Sequence, residues 1–405
     1  MKFLKFLPLL LVFATVPNLR AASLTYNGGA SGVWTNGGSG WLDGVTPASW
    51  NNATPDAATF GGVSPTSVNV EGGVTAGNIS VTNGTYSMAG GGTLTLSSTT
   101  WDVASGLTNT ASTALAGTTG LTKSGDGVLL FSGANKNFTG SVAINGGAIQ
   151  IASAAAGALG SANSTAVTLN GGALYTLFSV NSTVNYAITV GASGGELRNL
   201  GGDTGRFTLA SNKLDGSGVL TLSFGTSNTR FILGSAGTTQ TNFTGKWVVD
   251  SGNNVNRFVD VYSALNFGNV SGDDAITLKN TGSLLLRGGT YQTNGSGGDL
   301  GITIGAGGGK ISGGGSTNTV LATKLSGAAG NTLTLGVENG TVLVLSNALN
   351  SYLGETAIVA NGGSTGIVRL GIAGVIPDAG GTVTVGTNTT FDLNGVSETI
   401  GGLAG

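Results

Sequence analysis

Gly120-Leu-Thr-Lys-Ser-Gly-Asp-Gly-Val-Leu-Leu-Phe-Ser-Gly-Ala-Asn-Lys-Asn-Phe-Thr-Gly140 runs directly into Ser141-Val-Ala-Ile-Asn-Gly-Gly-Ala-Ile-Gln150. Its second half holds two short alternating runs, Ser141-Val-Ala-Ile144 and Ala148-Ile-Gln-Ile151, hinged on Asn145-Gly146-Gly147. A two-residue period broken by Asn-Gly reads as strands joined by tight turns. The period puts Val142, Ile144, Ile149 and Ile151 inward and Ala143 and Gln150 outward. Val167-Thr-Leu169 and Ala173-Leu174 repeat the unit around Asn170-Gly171-Gly172. Val219-Leu-Thr-Leu222, Ile276-Thr-Leu278, Ser283-Leu-Leu-Leu286, Ile302-Thr-Ile304, Val383-Thr-Val385 and Thr390-Phe-Asp-Leu393 continue it. Asn-Gly also marks hairpins, so the local pattern fits a hairpin sandwich as well as a solenoid. No helical period follows residue 22, and the Ala-rich run Ala152 to Ala158 reads as a loop or one turn.

Long-range repetition separates the two architectures. Phe138-Thr-Gly140, Phe243-Thr-Gly245 and Tyr352-Leu-Gly354 stand 105 and 109 positions apart. Each is followed by a similar strand, at Val167, Ile276 and Val383, and the first two by a further strand and Gly run, at Ile188–Gly195 and Ile302–Gly309. A repeat this long, made of short strands, is several solenoid rungs reused as a block.

Residues 119–151 resemble the autotransporter-associated β-strand repeat, whose pattern is roughly G-L-x-K-x-G-x-G-x-L-x-L-S-G-x-N-x-Y/F-T-G, then a strand, N-G-G and another strand. Leu325 to Ile372 is a degraded version, and Phe391 to Gly405 and the opening with Trp34, Trp41 and Trp50 are also similar to family sequence. The resemblance implies an all-β chain folded as a right-handed parallel β-helix, as in autotransporter passenger domains. No series of ten-residue amphipathic strands is visible at the end of the sequence to form the membrane barrel of such proteins. Rungs of roughly 20–25 residues give about 15–19 turns. The expected divisions are a signal peptide at 1–22, capping and first rungs at 23–118, and a repeat region at 119–405 with blocks near 119–213, 214–324 and 325–405.

Composition narrows the chemistry. The 405 residues include 75 Gly but neither Cys nor His, and only 8% are charged. Disulfides, thiol nucleophiles, imidazole-zinc sites and the Ser-His-Asp triad are therefore excluded. Sixteen bases against 18 acids give a net charge of -2, which argues against nucleic acid as a partner. A 40% hydrophobic content argues against disorder. Lys2 and Lys5, the apolar Leu7 to Val16 and the small pair Ala21-Ala22 read as a signal peptide, with no second span in the mature chain. The expected address is secreted, or on the bacterial surface and associated with the outer membrane.

The adjacent acids Asp273 and Asp274 read as solvated loop carboxylates, since neighbours on a strand face opposite ways. Gly201-Gly-Asp-Thr-Gly205 and Gly297-Gly-Asp-Leu-Gly301 read as turns, because a calcium site needs six to eight oxygens. No catalytic, cofactor or metal residues are expected. Tyr26, Trp34, Trp41, Trp50 and Phe60 read as a cap over the open end of the solenoid, against a sugar-stacking platform. Phe138, Phe243 and Tyr352 read as packed against the glycines that follow them. Residues 383–405 still read as repeat, so end-to-end self-association is expected. Two functions stay open: a non-enzymatic surface scaffold, adhesive toward glycans or envelope proteins, and a polysaccharide-active β-helix hydrolase or lyase.

Overall fold

A computed structural model describes residues 20–405 apart from 29–31, 64–65, 98, 134–135, 152–157, 161–165, 178–181, 203–204, 226–227, 236, 255, 293–298, 316–317 and 339. The chain winds as a parallel β-solenoid of about 13 turns. One sheet of 14 strands, from Val33–Trp34 to Ser351–Tyr352, takes one strand from each turn up to Tyr352. The turns are fewer than 15–19 because several are long: Thr108 pairs with Val128, but Trp247 pairs with Ile276 and Val33 with Asn69. The only helical element among the described residues is a 3-10 turn, Ala264–Phe267, absent from the sequence reading. Its start is fixed by Ser263 and Asn266, whose side chains bond each other's end of the turn.

The expected strands form, and alternation sets their facing. Val142, Ile144, Ile149 and Ile151 are at most 1% exposed, while Ala143 and Gln150 are partly exposed. Register stacks like on like: Leu129, Ile149, Leu174, Leu197, Leu222, Val249, Leu278 and Ile304 follow one another down the 14-stranded sheet as one apolar column. Parallel strands 4.7–4.9 Å apart bring such side chains into direct contact, so each rung is buried by its neighbours.

The three repeated steps have a common steric cause. Phe138, Phe243 and Tyr352 are at most 1% exposed. A Cβ on Gly140 would lie within contact distance of the Gly120 backbone nitrogen, one on Gly245 of the Gly218 carbonyl, and one on Gly354 of the Asn331 carbonyl, each at about 2 Å or less. At these points the chain presses on the backbone of the previous rung, and only glycine fits. Gly147 of the Asn-Gly-Gly corner is likewise pressed on the Gly127 carbonyl, and its φ of 55° is left-handed.

The repeat motif's lysines point inward. Lys123 sits in register between Trp101 and Ile144, and its ammonium donates to the carbonyls of Ser124 (2.5 Å), Gly125 (2.7 Å) and Gly146 (3.3 Å). Lys136 donates to Thr113 and Ser132, both at 2.9 Å. Each lysine thereby ties the carbonyls of two successive turns. Burial pushes both ammonium groups down to about 8, with Asp102 and Asp126 pulling Lys123 back up.

The repeated blocks are out of phase with the turns. The strands after the glycine step and near it, Ala148–Ile151, Lys246–Asp250 and Ser351–Tyr352, stand four places apart in the 14-stranded sheet. Yet the strand directly after the step is Val142–Ile144 in the 11-stranded sheet, then Lys246–Asp250 in the 14-stranded sheet, then Thr356–Ala360 in the 10-stranded sheet. Each block therefore advances four turns and one face. Early turns visit the 11-, 14- and 3-stranded sheets in order, and late turns the 14-, 10- and 5-stranded sheets. Where a sheet stops, a single bridge carries on: Leu115 to Lys136 after the 3-stranded sheet, and Gly216 to Phe243 after the 11-stranded one.

At the first turn Trp34, Trp41, Trp50, Tyr26 and Phe60 are at most 1% exposed. Trp50 lies 4.8 Å from both Trp34 and Trp41, centroid to centroid. Two antiparallel strands, Trp41–Asp43 and Thr46–Ala48, cover the open edge of Ser23–Tyr26, and Pro47 lies on the outermost. This is the aromatic cap, and rings so buried offer no stacking platform.

Candidate binding groove

The residues singled out from sequence do not converge. Asp273 and Asp274 lie at the bulged start of Gly272–Lys279, both exposed. Asp274 pairs with Lys246 (2.5 Å), which holds its carboxyl below the usual range, and Asp273 pairs with Lys324 (2.6 Å). Both lysines belong to other rungs, 28 and 51 residues away in sequence. In the two Gly-Gly-Asp segments, Asp203 and residues 297–298 lie outside the described residues. No cluster of three potential metal ligands occurs among the described residues.

The site that sequence reading missed lies on the outer face of the 10-stranded sheet. Ser283-Leu-Leu-Leu286 looked like another alternating strand, but all of Gly282–Leu286 is buried. Leu284 and Leu286 belong to the solenoid core. On the outward side Asp260, Ser283, Leu285 and Ser312 are still only 1–2% exposed. Ser283, Leu285 and Ser312 form the floor of a groove of about 620 Å³ running across the rungs, from Asn228 and Arg230 to Asn361, and Asp260 is the register partner of Leu285. The clue available in sequence is the unbroken Leu284-Leu-Leu286 run, which alternation for a one-sided sheet would forbid.

The groove is polar and rich in cations. Arg230 lies 4.1 Å above the ring of Phe258, its register partner. Arg287 donates to one oxygen of Asp260 from Nε (3.2 Å) and Nη2 (2.9 Å), and its Nη1 lies 3.8 Å from Glu338. Burial pushes the Asp260 carboxyl up; Arg287, Arg230 and Arg206 pull it back. Burial likewise pushes Arg230 down, and Arg206 and Arg287 push it further, with Asp260 and Glu338 opposing. Lys310 is lowered by burial against the pull of Glu338. Ser312 and Asn361 crowd in over Gly336, where a Cβ would lie 2.9 Å from the Asn361 amide nitrogen. The arrangement supplies fixed cations, amides and hydroxyls around a buried Ser-Leu-Ser floor.

With this geometry in hand, one relative stands out. The chain is similar to the adhesin BmaC autotransporter of Brucella suis biovar 1 (strain 1330). Identity to BmaC is 39% over 152 residues, which is 36% of this chain and 4% of BmaC. The chain thus spans a small fraction of the length of its adhesin relative. No protein-family profile matches the chain, and no solved structure matches it. No helix among the described residues is long and apolar enough to cross a membrane.

Proposed function

We propose that the chain is a non-enzymatic, adhesin-like scaffold of autotransporter-associated β-strand repeats, exported by the signal peptide at 1–22 and displayed at or beyond the bacterial outer membrane. The observation that carries this reading is the 39% identity to an autotransporter adhesin. A solenoid of about 13 turns supports it, since a stacked repeat holds an extended face in fixed register. The four-turn spacing of the glycine steps supports blocks near 119–213, 214–324 and 325–405 within the 119–405 repeat region, after capping and first rungs at 23–118. Beads coated with the mature chain should attach to host cells or matrix above the level of albumin-coated beads. Attachment equal to albumin would reject the reading. Mass spectrometry of the exported protein should find an N-terminus near Ala22 or Ser23. End-to-end association belongs to the same proposal, supported by the exposed Leu393 and Leu403 beside a largely apolar pocket of about 450 Å³.

A polysaccharide-cleaving function has one observation in its favour. Asp260, with a raised carboxyl, and Glu338, which lines the groove, flank the same arginine, Arg287. Against it, the Asp260 side chain is 2% exposed and engaged by Arg287, so a glycosidic oxygen has no path to it. Incubation with plant and algal polysaccharides discriminates: new reducing or unsaturated ends would favour the enzyme.

A further inference from the structure

We propose that the groove on the 10-stranded sheet binds an anionic polysaccharide, with its acidic groups seated against Arg230 and Lys310 and, one rung beyond the groove's end, Arg206. The inference rests on the adhesive reading only in taking the occupant to be a polymer met outside the cell.

Arg206 and Arg230 are direct register partners on neighbouring rungs, and Lys310 lies three rungs beyond Arg230 on the same outward column, through Phe258 and Ser283. Strand spacing puts the whole row along about 19 Å of the rod. Like charges opposed on adjacent strands destabilise a sheet. Among the described residues none of the three is in an ion pair, although the exposed Lys246 and the half-buried Lys324 on another face both are. The chain is acidic overall, so this row is a local reversal of sign. Burial holds Arg230 and Lys310 down from their ordinary values, and an incoming anion would relieve that penalty.

The remaining lining favours a glycan over an acidic peptide. Extended peptides bind sheets by adding a strand to a free edge. Here the floor strands Gly282–Leu286 and Gly309–Gly313 are hydrogen-bonded on both sides. Apart from Glu338, whose carboxylate Arg287 approaches at 3.8 Å, the polar uncharged lining is Asn228, Asn256, Ser283, Ser312 and Asn361, amides and hydroxyls suited to sugar hydroxyls. The acid could be a uronate carboxylate or a sulfate ester, since both accept from guanidinium and ammonium.

The test is calorimetry of the mature chain with dextran sulfate, polygalacturonate, neutral dextran of matched length and poly-L-glutamate. Dextran sulfate, polygalacturonate or both should bind, and more weakly as salt rises. Arg230→Gln with Lys310→Gln should weaken that binding at least tenfold, and Arg206→Gln severalfold. Lys213→Gln, in the turn just before Leu214–Gly216 of the 11-stranded sheet, should leave it unchanged. An unchanged urea midpoint would show that the variants fold. Binding of neutral dextran equal to that of the charged polymers would overturn the proposal, as would a double variant that binds like wild type. Poly-L-glutamate binding through the same residues as tightly as the polysaccharides would reassign the groove to acidic peptides. Loss of bead attachment with polysaccharide binding intact would reject the adhesive reading and leave the groove assignment standing.

Discussion

Replacing Gly245 by Ala tests the idea that solenoid rungs are gauged by glycine. The added Cβ would stand 2.0 Å from the Gly218 carbonyl oxygen and 2.7 Å from Cζ of Phe243, where ordinary contact begins at 3.4 Å. Relief at the carbonyl needs a shift of about 1.4 Å, close to a third of the strand spacing. Both sides of the clash are backbone or a fully buried ring, so no rotamer change absorbs it. Overpacking of about 1–3 kcal/mol, plus one or two weakened hydrogen bonds between Val219–Phe224 and Lys246–Asp250 at about 1 kcal/mol each, gives a loss of roughly 2–5 kcal/mol. Gly73→Ala is the control. Gly73 also starts a strand, but nothing lies within 4 Å of its added Cβ. That change should be neutral or stabilise by up to about 1 kcal/mol. Urea melts followed by far-UV circular dichroism compare the two, and hydrogen exchange on a peptide covering Lys246–Asp250 localises the damage. Equal midpoints and equal exchange would show that the close approach at Gly245 is not what the repeat conserves its shape with.

Ile144→Asp, at a position with 0% exposure, should cost about 4 kcal/mol or more by burying an unpaired charge, whereas Gln150→Asp should cost under about 0.5 kcal/mol; a urea melt separates them. Thr281 has a φ of 59° and a buried hydroxyl without a partner, so Thr281→Gly should raise stability by about 1–2 kcal/mol in the same assay. Lys123 and Lys136 are held near 8 in the fold, so above pH 8 the unfolded chain binds more protons and stability rises with pH. The urea midpoint should therefore climb from pH 7 to 9, by about 1 kcal/mol per lysine, and Lys123→Met with Lys136→Met should flatten the climb. The scan ends at pH 9.5, because Tyr26, Tyr291 and Tyr352, whose hydroxyls burial pushes up, reverse the slope once free tyrosine ionises.

Strand positions were legible in the sequence because each rung buries one face against the interior, and that writes a two-residue period. The turn at Asn145-Gly-Gly147 was legible because its backbone demands glycine. The aromatic cap was legible because Trp34, Trp41 and Trp50 crowd a segment otherwise poor in aromatics. The groove was not, since its floor breaks alternation and the cations along it, Arg206, Arg230 and Lys310, stand 24 to 104 residues apart in sequence. Nor were the pairs Lys246–Asp274 and Lys324–Asp273, which only the winding brings together. The burial of Lys123 was not legible either, since a charged side chain in a strand ordinarily faces solvent. Its carbonyl partners come from corners that no local pattern specifies.

The mismatch between block and turn has a mechanical consequence. A block that filled whole turns would align its ladder interruptions on one side of the rod, and the rod would fold along that seam. Here the interruption at Lys136 and the one at Phe243 fall on different faces, as the extra face per block requires. Compliance is thereby shared around the axis, like staggered joints in a laid brick column. Three blocks are needed before equivalent loops point the same way again.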